Sequence, residues 1–286
     1  MFEQPEFFHF EKLRRMEDAF DSWRAIRRVT VVAPHSDDEQ AMAAWLTLLV
    51  RMNIRSTVLL LFPGFRCPGW NESLTDAEKT RVRVDEGRRA CAITGAEFEF
   101  VDLSVYWRRE DYLFSDEDIS ELTQVLRRTH PQVVFVPPRF DQHIAHQAAR
   151  NLTTQALERS GLPPVAVVTY ETPWSLLSGS TPPTHVFAYG AELAETKAQA
   201  IRQFESQLRV TDYEAWSRLH SAARLITARE LLNSHHDLPA SLPDAVGVEA
   251  FRIESTSPLI GREPEDLVVR YLSSSSSRRE LMPAFS

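Results

Sequence analysis

The chain is poor in cysteine and glycine. Of 286 residues only two are cysteine, Cys67 and Cys91, and nine are glycine. Two cysteines cannot build a disulfide framework, so a reducing compartment is the expectation. No apolar run reaches the roughly 18 residues that a membrane helix needs. The first twenty residues are charged and lack the apolar stretch of a signal peptide. An excess of positive charge is missing too: 32 basic against 40 acidic residues give a net charge of -8. That balance argues against a general nucleic-acid binder, which needs a basic face. There is no Gly-x-Gly-x-x-Gly after the first strand-like run, so a dinucleotide site has no support. The expectation is a protein of the cytoplasm, without nucleic-acid or membrane partners; a homo-oligomer is left open.

What is present alternates. Val29–Ala33, Ser56–Phe62, Glu97–Leu103, Gln132–Pro137 and Val165–Tyr170 are short, apolar, β-branched runs. Between them, Ala41–Met52, Asp76–Ile93, Asp116–Thr129 and Gln142–Arg159 read as helices. Such alternation predicts an α/β fold with a Rossmann-like parallel sheet and helices on both faces. Beyond Thr196 the chain reads as a C-terminal helical extension, with a strand-like stretch at Val246–Ile253. Residues 1–27 read as an N-terminal helical extension, since Leu13, Met16, Phe20 and Trp23 recur at helical spacing. Residues 28–272 form the predicted domain, and 273–286, opening on five serines, a low-complexity tail.

Parallel sheets bind ligands beyond the carboxyl ends of their strands, so the residues that follow each strand matter most. After the first come His35, Ser36, Asp37, Asp38 and Glu39; after the fourth, Asp141, His143 and His146. Ser36 and Glu39 have capping-box spacing, and acids suit a helix N-terminus. That accounts for Ser36, Asp37 and Glu39 without chemistry, but leaves His35 unexplained. His143 and His146, three apart, share a helix face. Two imidazoles and one carboxylate with an open position make the usual catalytic zinc set. The same set also suits non-haem iron.

The run from Ala33 to Glu39 resembles the His-Pro-Asp-Asp-Glu signature of the PIG-L/LmbE-like N-acetylglucosaminyl deacetylases. His143-x-x-His146 resembles that family's His-Pro-Asp-His element, and Arg83-x-x-Glu86 its helix motif. Lys197, Phe204, Ser206 and Gln207 resemble its late Lys…Ser-Gln element; Gly247–Phe251 resembles its closing segment. The resemblance spans roughly residues 28–252. It implies that His35, Asp38 and His146 hold zinc, or another divalent metal such as Fe2+. It implies Asp37 as general base, and a charged His143 facing the oxyanion or the leaving amine. It implies a substrate that is an N-acetylated amino sugar or glycoconjugate, with Arg83 and Asp141 near it.

The chain departs from the pattern at Ser36, where proline is expected, and at Ala145, where an acid is expected that can orient the other histidine. Asp141 is either its substitute or a helix cap. The loop from Phe62 to Phe65 also differs, so the pocket wall differs. Ala145 keeps a catalytically silent sugar-binding relative open beside the deacetylase and the iron oxygenase. Phe65, Trp70, Trp107 and Trp174 are able to line a sugar site, since apolar sugar faces pack on aromatic rings, but each reads first as core or loop packing; Cys67, with no base near it in sequence, is not expected to be a nucleophile.

Overall fold

The computed structural model describes residues 14–15, 23, 25–70, 73–107, 112–172, 183–233 and 245–255. Its strands are β1 (Arg14–Arg15), β2 (Arg28–Ala33), β3 (Arg55–Leu60), β4 (Glu97–Phe100), β5 (Val133–Val136), β6 (Ala166–Tyr170), β7 (His185–Tyr189) and β8 (Gly247–Ser255). A 3-10 turn at Asp38–Met42 leads into α1 (Ala43–Arg51). The other helices are α2 (Asp76–Thr94), α3 (Ser104–Trp107), α4 (Asp116–Thr129), α5 (Ile144–Ser160), α6 (Ala191–Ile201), α7 (Glu205–Leu208) and α8 (Tyr213–Asn233).

These strands form one sheet in the order β1-β7-β8-β6-β5-β2-β3-β4. Every pairing is parallel except those of β8, which runs antiparallel to both β6 and β7. The sheet is therefore mixed rather than wholly parallel, and β7 was not among the predicted strands. Beyond Thr196 the described chain is mainly helical as expected, and the strand-like stretch at Val246–Ile253 is β8. Most of residues 1–27 lies outside the described residues, as do Trp174 and the serine run. Arg14 and Arg15, inside the expected helix, pair instead with β7.

Both sheet faces are covered, which is why the central strands are apolar throughout rather than alternating. Val29, Val31, Val133 and Phe135 pack with Trp23, Trp45 and Leu49 on one face. Val32, Val134 and Val136 pack with Leu122, Leu126 and Leu152 on the other. Thus α1 after β2 goes to one face, and α5 after β5 goes to the opposite one. Strands β2 and β5 are neighbours, so the crevice between their carboxyl ends is the sheet's switch point, where such folds bind ligands.

Candidate metal centre

Three side-chain atoms meet in that crevice. Asp38 Oδ2 lies 3.2 Å from His35 Nδ1 and 3.2 Å from His146 Nε2, and the two ring nitrogens are 3.3 Å apart. Zinc with bonds of 2.0–2.1 Å to tetrahedral ligands needs ligand atoms about 3.3–3.4 Å apart. The triangle has that size already, so the donor set fits a zinc-sized ion with one position left open. His143 lies beside it: the nitrogens of His35, His143 and His146 all fall within 4.8 Å of one another. Asp38 rather than His143 closes the tighter triangle with His35 and His146.

The backbone explains how the triangle is held. Asp38 folds back so that Oδ2 accepts the His35 backbone N–H at 2.7 Å. Asp141 accepts the His143 backbone N–H on Oδ1 at 2.8 Å, and His146 Nδ1–H on Oδ2 at 3.0 Å. Thr172, just past β6, donates its hydroxyl to the same Oδ2 at 2.5 Å. Such outer partners fix a ligand's tautomer and orientation. Burial pushes the Asp141 carboxyl up, but His146, Thr172 and the His143 amide bring it below its ordinary value. Burial pulls His146 down, yet Asp38 and Asp141 on its two sides raise it to about 10. Without metal, His146 is a cation between two carboxylates.

His143 departs from expectation in its charge. It caps α5, with Nδ1 accepting the Ala145 N–H at 3.2 Å. That leaves the hydrogen on Nε2. Burial, then the charges of His35 and His146, push its pKa down to about 4. His143 is therefore a neutral N–H donor, not the expected imidazolium; a helix N-terminus favours the uncharged ring in the same way elsewhere.

Arg83 and Asp141, both expected near substrate, are buried. Arg83 Nη2 lies 3.2 Å from Asp37 Oδ2, Nη1 lies 3.3 Å from Glu86, and Nε donates to the Pro63 carbonyl at 3.0 Å. It braces Asp37, whose side chain stays 16% exposed and open to water. Glu86 in turn accepts both the backbone N–H and the hydroxyl of Ser206 at 2.7 Å. Asp141 orients His146, and it also holds the turn before α5.

Ser36 and Glu39 do not form a capping box. Ser36 donates to the Arg83 carbonyl at 2.5 Å, and Glu39 is buried, which raises its carboxyl to about 8. The start of α1 is held by Glu249 instead, which accepts the N–H groups of Ala44 and Trp45 at 3.0 and 2.8 Å. Lys197 pairs with Glu249 at 2.7 Å. The late sequence elements are thus scaffolding for the loop that carries His35 and Asp38. Cys67 sits close by as a thiol, pushed up to about 11 chiefly by burial. The role of Thr172 was not foreseen; its position just after a strand was the available signal.

Residues 30–157 match the family model described as PIG-L, GlcNAc-PI de-N-acetylase, and the resemblance to PIG-L/LmbE-type deacetylases is borne out. No curated protein matches the chain by sequence. Among solved structures, the chain shares its fold with GalB from Pseudomonas putida, a 4-carboxy-2-hydroxymuconate hydratase, at 20% identity and TM-score 0.63, covering 81% of this chain and 100% of that one. It shares it also with the N,N'-diacetylchitobiose deacetylase of Pyrococcus horikoshii, at 20% identity and TM-score 0.61, covering 85% and 94%. A zinc-inhibited teicoplanin deacetylase, Orf2, aligns at 17% identity and TM-score 0.55, covering 80% and 100%. One fold thus carries amide hydrolysis in some proteins and water addition in another. No helix among the described residues is long and apolar enough to cross a membrane.

Proposed function

We propose that this PIG-L-like chain is a metal-dependent amide hydrolase that removes the acetyl group from an N-acetylated amino sugar or glycoconjugate. The observation that carries the reading is a zinc-sized triangle of His35, Asp38 and His146 with an accessible carboxylate, Asp37, braced beside it. An iron oxygenase has no use for that braced base, which favours the hydrolase. Zinc is the metal we assign; Fe2+ suits the same three donors. Zinc held there supplies a Lewis acid that brings the pKa of water toward about 7.

The chain's own residues do the rest. Asp37 takes a proton from the attacking water as the water oxygen bonds to the acetyl carbon. His143 Nε2–H donates to the carbonyl oxygen as negative charge grows there, which is where a preorganised donor is worth most. Asp37 then passes the proton to the nitrogen as the C–N bond breaks, giving acetate and a free amine. Arg83 keeps Asp37 in place through these transfers and stays out of contact with substrate. The free thiols of Cys67 and Cys91 suit a reducing cytoplasm.

Acetate release from N-acetylglucosamine derivatives, measured with metal-loaded and chelated protein, tests the reading. Loaded protein should release acetate and chelated protein should not. Asp37→Asn should keep its metal and lose about 10²–10⁴ in rate. Metal-loaded protein that releases no acetate from any such compound points to the silent relative or to another water chemistry.

A further inference from the structure

A second feature lies beside the metal centre. The loop after β3 and the first turn of α2 enclose a cleft of about 390 Å3, lined by Phe65, Arg66, Cys67, Trp70 and Lys79 among others. It adjoins the reacting groups. A methyl group placed on Gly64 would meet Cys67 Sγ at 2.8 Å and both Arg83 Nε and His35 Cδ2 at 3.8 Å. The cleft floor at Cys67 is therefore one residue's thickness from a metal ligand and from the brace of the base. Lys79 stands one helical turn before Arg83 on α2, so the two share a face. Arg83 reaches inward to Asp37, and Lys79 lies one turn further toward solvent.

The lining has a definite chemistry. Trp70 is half-buried, with its indole N–H directed at the Gly64 carbonyl at 3.4 Å. Arg66 is exposed, its guanidinium 5.4 Å from the centre of the Phe65 ring. Neither Arg66 nor Lys79 forms an ion pair among the described residues, although the chain as a whole carries a net charge of -8. Asp76 is the one acid among the described lining residues, and it occupies the first turn of α2, where the helix dipole favours an anion. Two cations without an ion pair among the described residues and an aromatic ring, next to a hydrolytic centre, match a ring that carries negative charge. A volume of this size accepts a sugar-sized group.

Resting on the deacetylase reading above, we propose that this cleft holds the part of the substrate beyond the scissile amide. It selects a carboxylate- or phosphate-bearing ring, packed on Trp70 and paired with Arg66 and Lys79. Both anions share the chemistry that recognises them, and the experiment separates them.

Acetate release is measured with the full chain loaded with zinc, on N-acetylglucosamine, its 6-phosphate, and N-acetylmuramic acid. The quantity read is the ratio of kcat/KM for each anionic compound to that for the neutral one. The wild type should favour one of the anionic compounds by tenfold or more. Lys79→Met and Arg66→Met should each lower that ratio about tenfold, the worth of one charge-assisted hydrogen bond, whereas Lys79→Arg should preserve it. A ratio near one in the wild type, or a ratio that survives both methionine changes, overturns the cleft assignment while leaving the deacetylase intact. Equilibrium binding of the same three compounds by calorimetry separates the two failures. Binding that prefers an anionic compound and depends on Lys79, without acetate release, sustains the cleft and overturns the deacetylase. Binding without that preference overturns the cleft in either case.

Discussion

Replacing Asp141 by Asn should separate metal affinity from fold. Three donors point at this carboxylate: the His143 backbone N–H on Oδ1, and His146 Nδ1–H with the Thr172 hydroxyl on Oδ2. Asn offers one acceptor oxygen and one donor amide. If the oxygen stays with His146 and Thr172, the amide faces the His143 N–H, donor against donor, at a site only 1% exposed. A buried hydrogen bond left unmade costs about 1–3 kcal/mol. The charge behind His146 is lost as well, and loss of such a partner weakens metal binding by about 10–100-fold, or roughly 1.4–2.7 kcal/mol. Competition for zinc against a chromophoric chelator reads the second effect, and denaturation of metal-free protein reads the first. Thr172→Val removes one donor but leaves the carboxylate, so its zinc affinity should stay within about threefold of wild type, well short of the loss from an absent outer partner. Asp141→Asn that binds zinc like the wild type, or Thr172→Val that weakens it equally, refutes the claim that Asp141 acts through the charge it places behind His146.

Three further outcomes are expected. His146 in metal-free protein is raised to about 10 by Asp38 and Asp141 against burial, so zinc must displace its proton. Affinity should therefore rise with pH until about 10, where the proton leaves His146 unaided. Calorimetry in buffers of different ionisation heat should then find about one proton released per metal from this group near neutral pH; release of none contradicts the two-carboxylate environment. Arg83→Met strips Glu86 of its cation inside the protein and should cost about 3–5 kcal/mol of stability, visible as a lower denaturant midpoint; an unchanged midpoint removes Arg83 from the scaffold. Gly87→Ala places a methyl 2.7 Å from Ser36 Oγ and 2.8 Å from the Phe98 ring. The resulting overpacking, about 1–3 kcal/mol, opposes a helix-propensity gain of about 1 kcal/mol. Stability can then move little, but zinc affinity should fall because Ser36 adjoins His35; an unchanged affinity shows that the metal loop is not held by this contact.

Much of this was legible in local pattern. Val29–Ala33 and Gln132–Pro137 announced buried strands because a sheet covered on both faces leaves no polar side to alternate. Asp116–Thr129 was bounded as found, since Ser115 and Asp118 form a capping box at one end and His130 takes a left-handed conformation before Pro131 at the other. His35, Asp38 and His146 stood out because imidazole and carboxylate after neighbouring strands have few structural uses. Strand β7 was harder to see: its five residues carry little periodicity, and its partner β8 lies some sixty residues on.

Local pattern placed His35, Asp38, Asp141, His143 and His146 just past apolar runs, because such runs mark strands and ligand chemistry gathers at strand ends. The duties of these groups were settled by contacts across the fold. Ser36 and Glu39 have the spacing of a helix cap, yet the cap comes from Glu249, more than two hundred residues later. Arg83 is expected near substrate and is instead buried against Asp37 and Glu86. Asp141 serves His146 rather than the ring of His143, and burial, with His35 and His146 beside it, keeps the His143 ring uncharged. Spacing along a chain fixes which groups can meet within a turn or two. Burial, and the choice among several nearby partners, depends on segments far apart in sequence that only the folded sheet brings together.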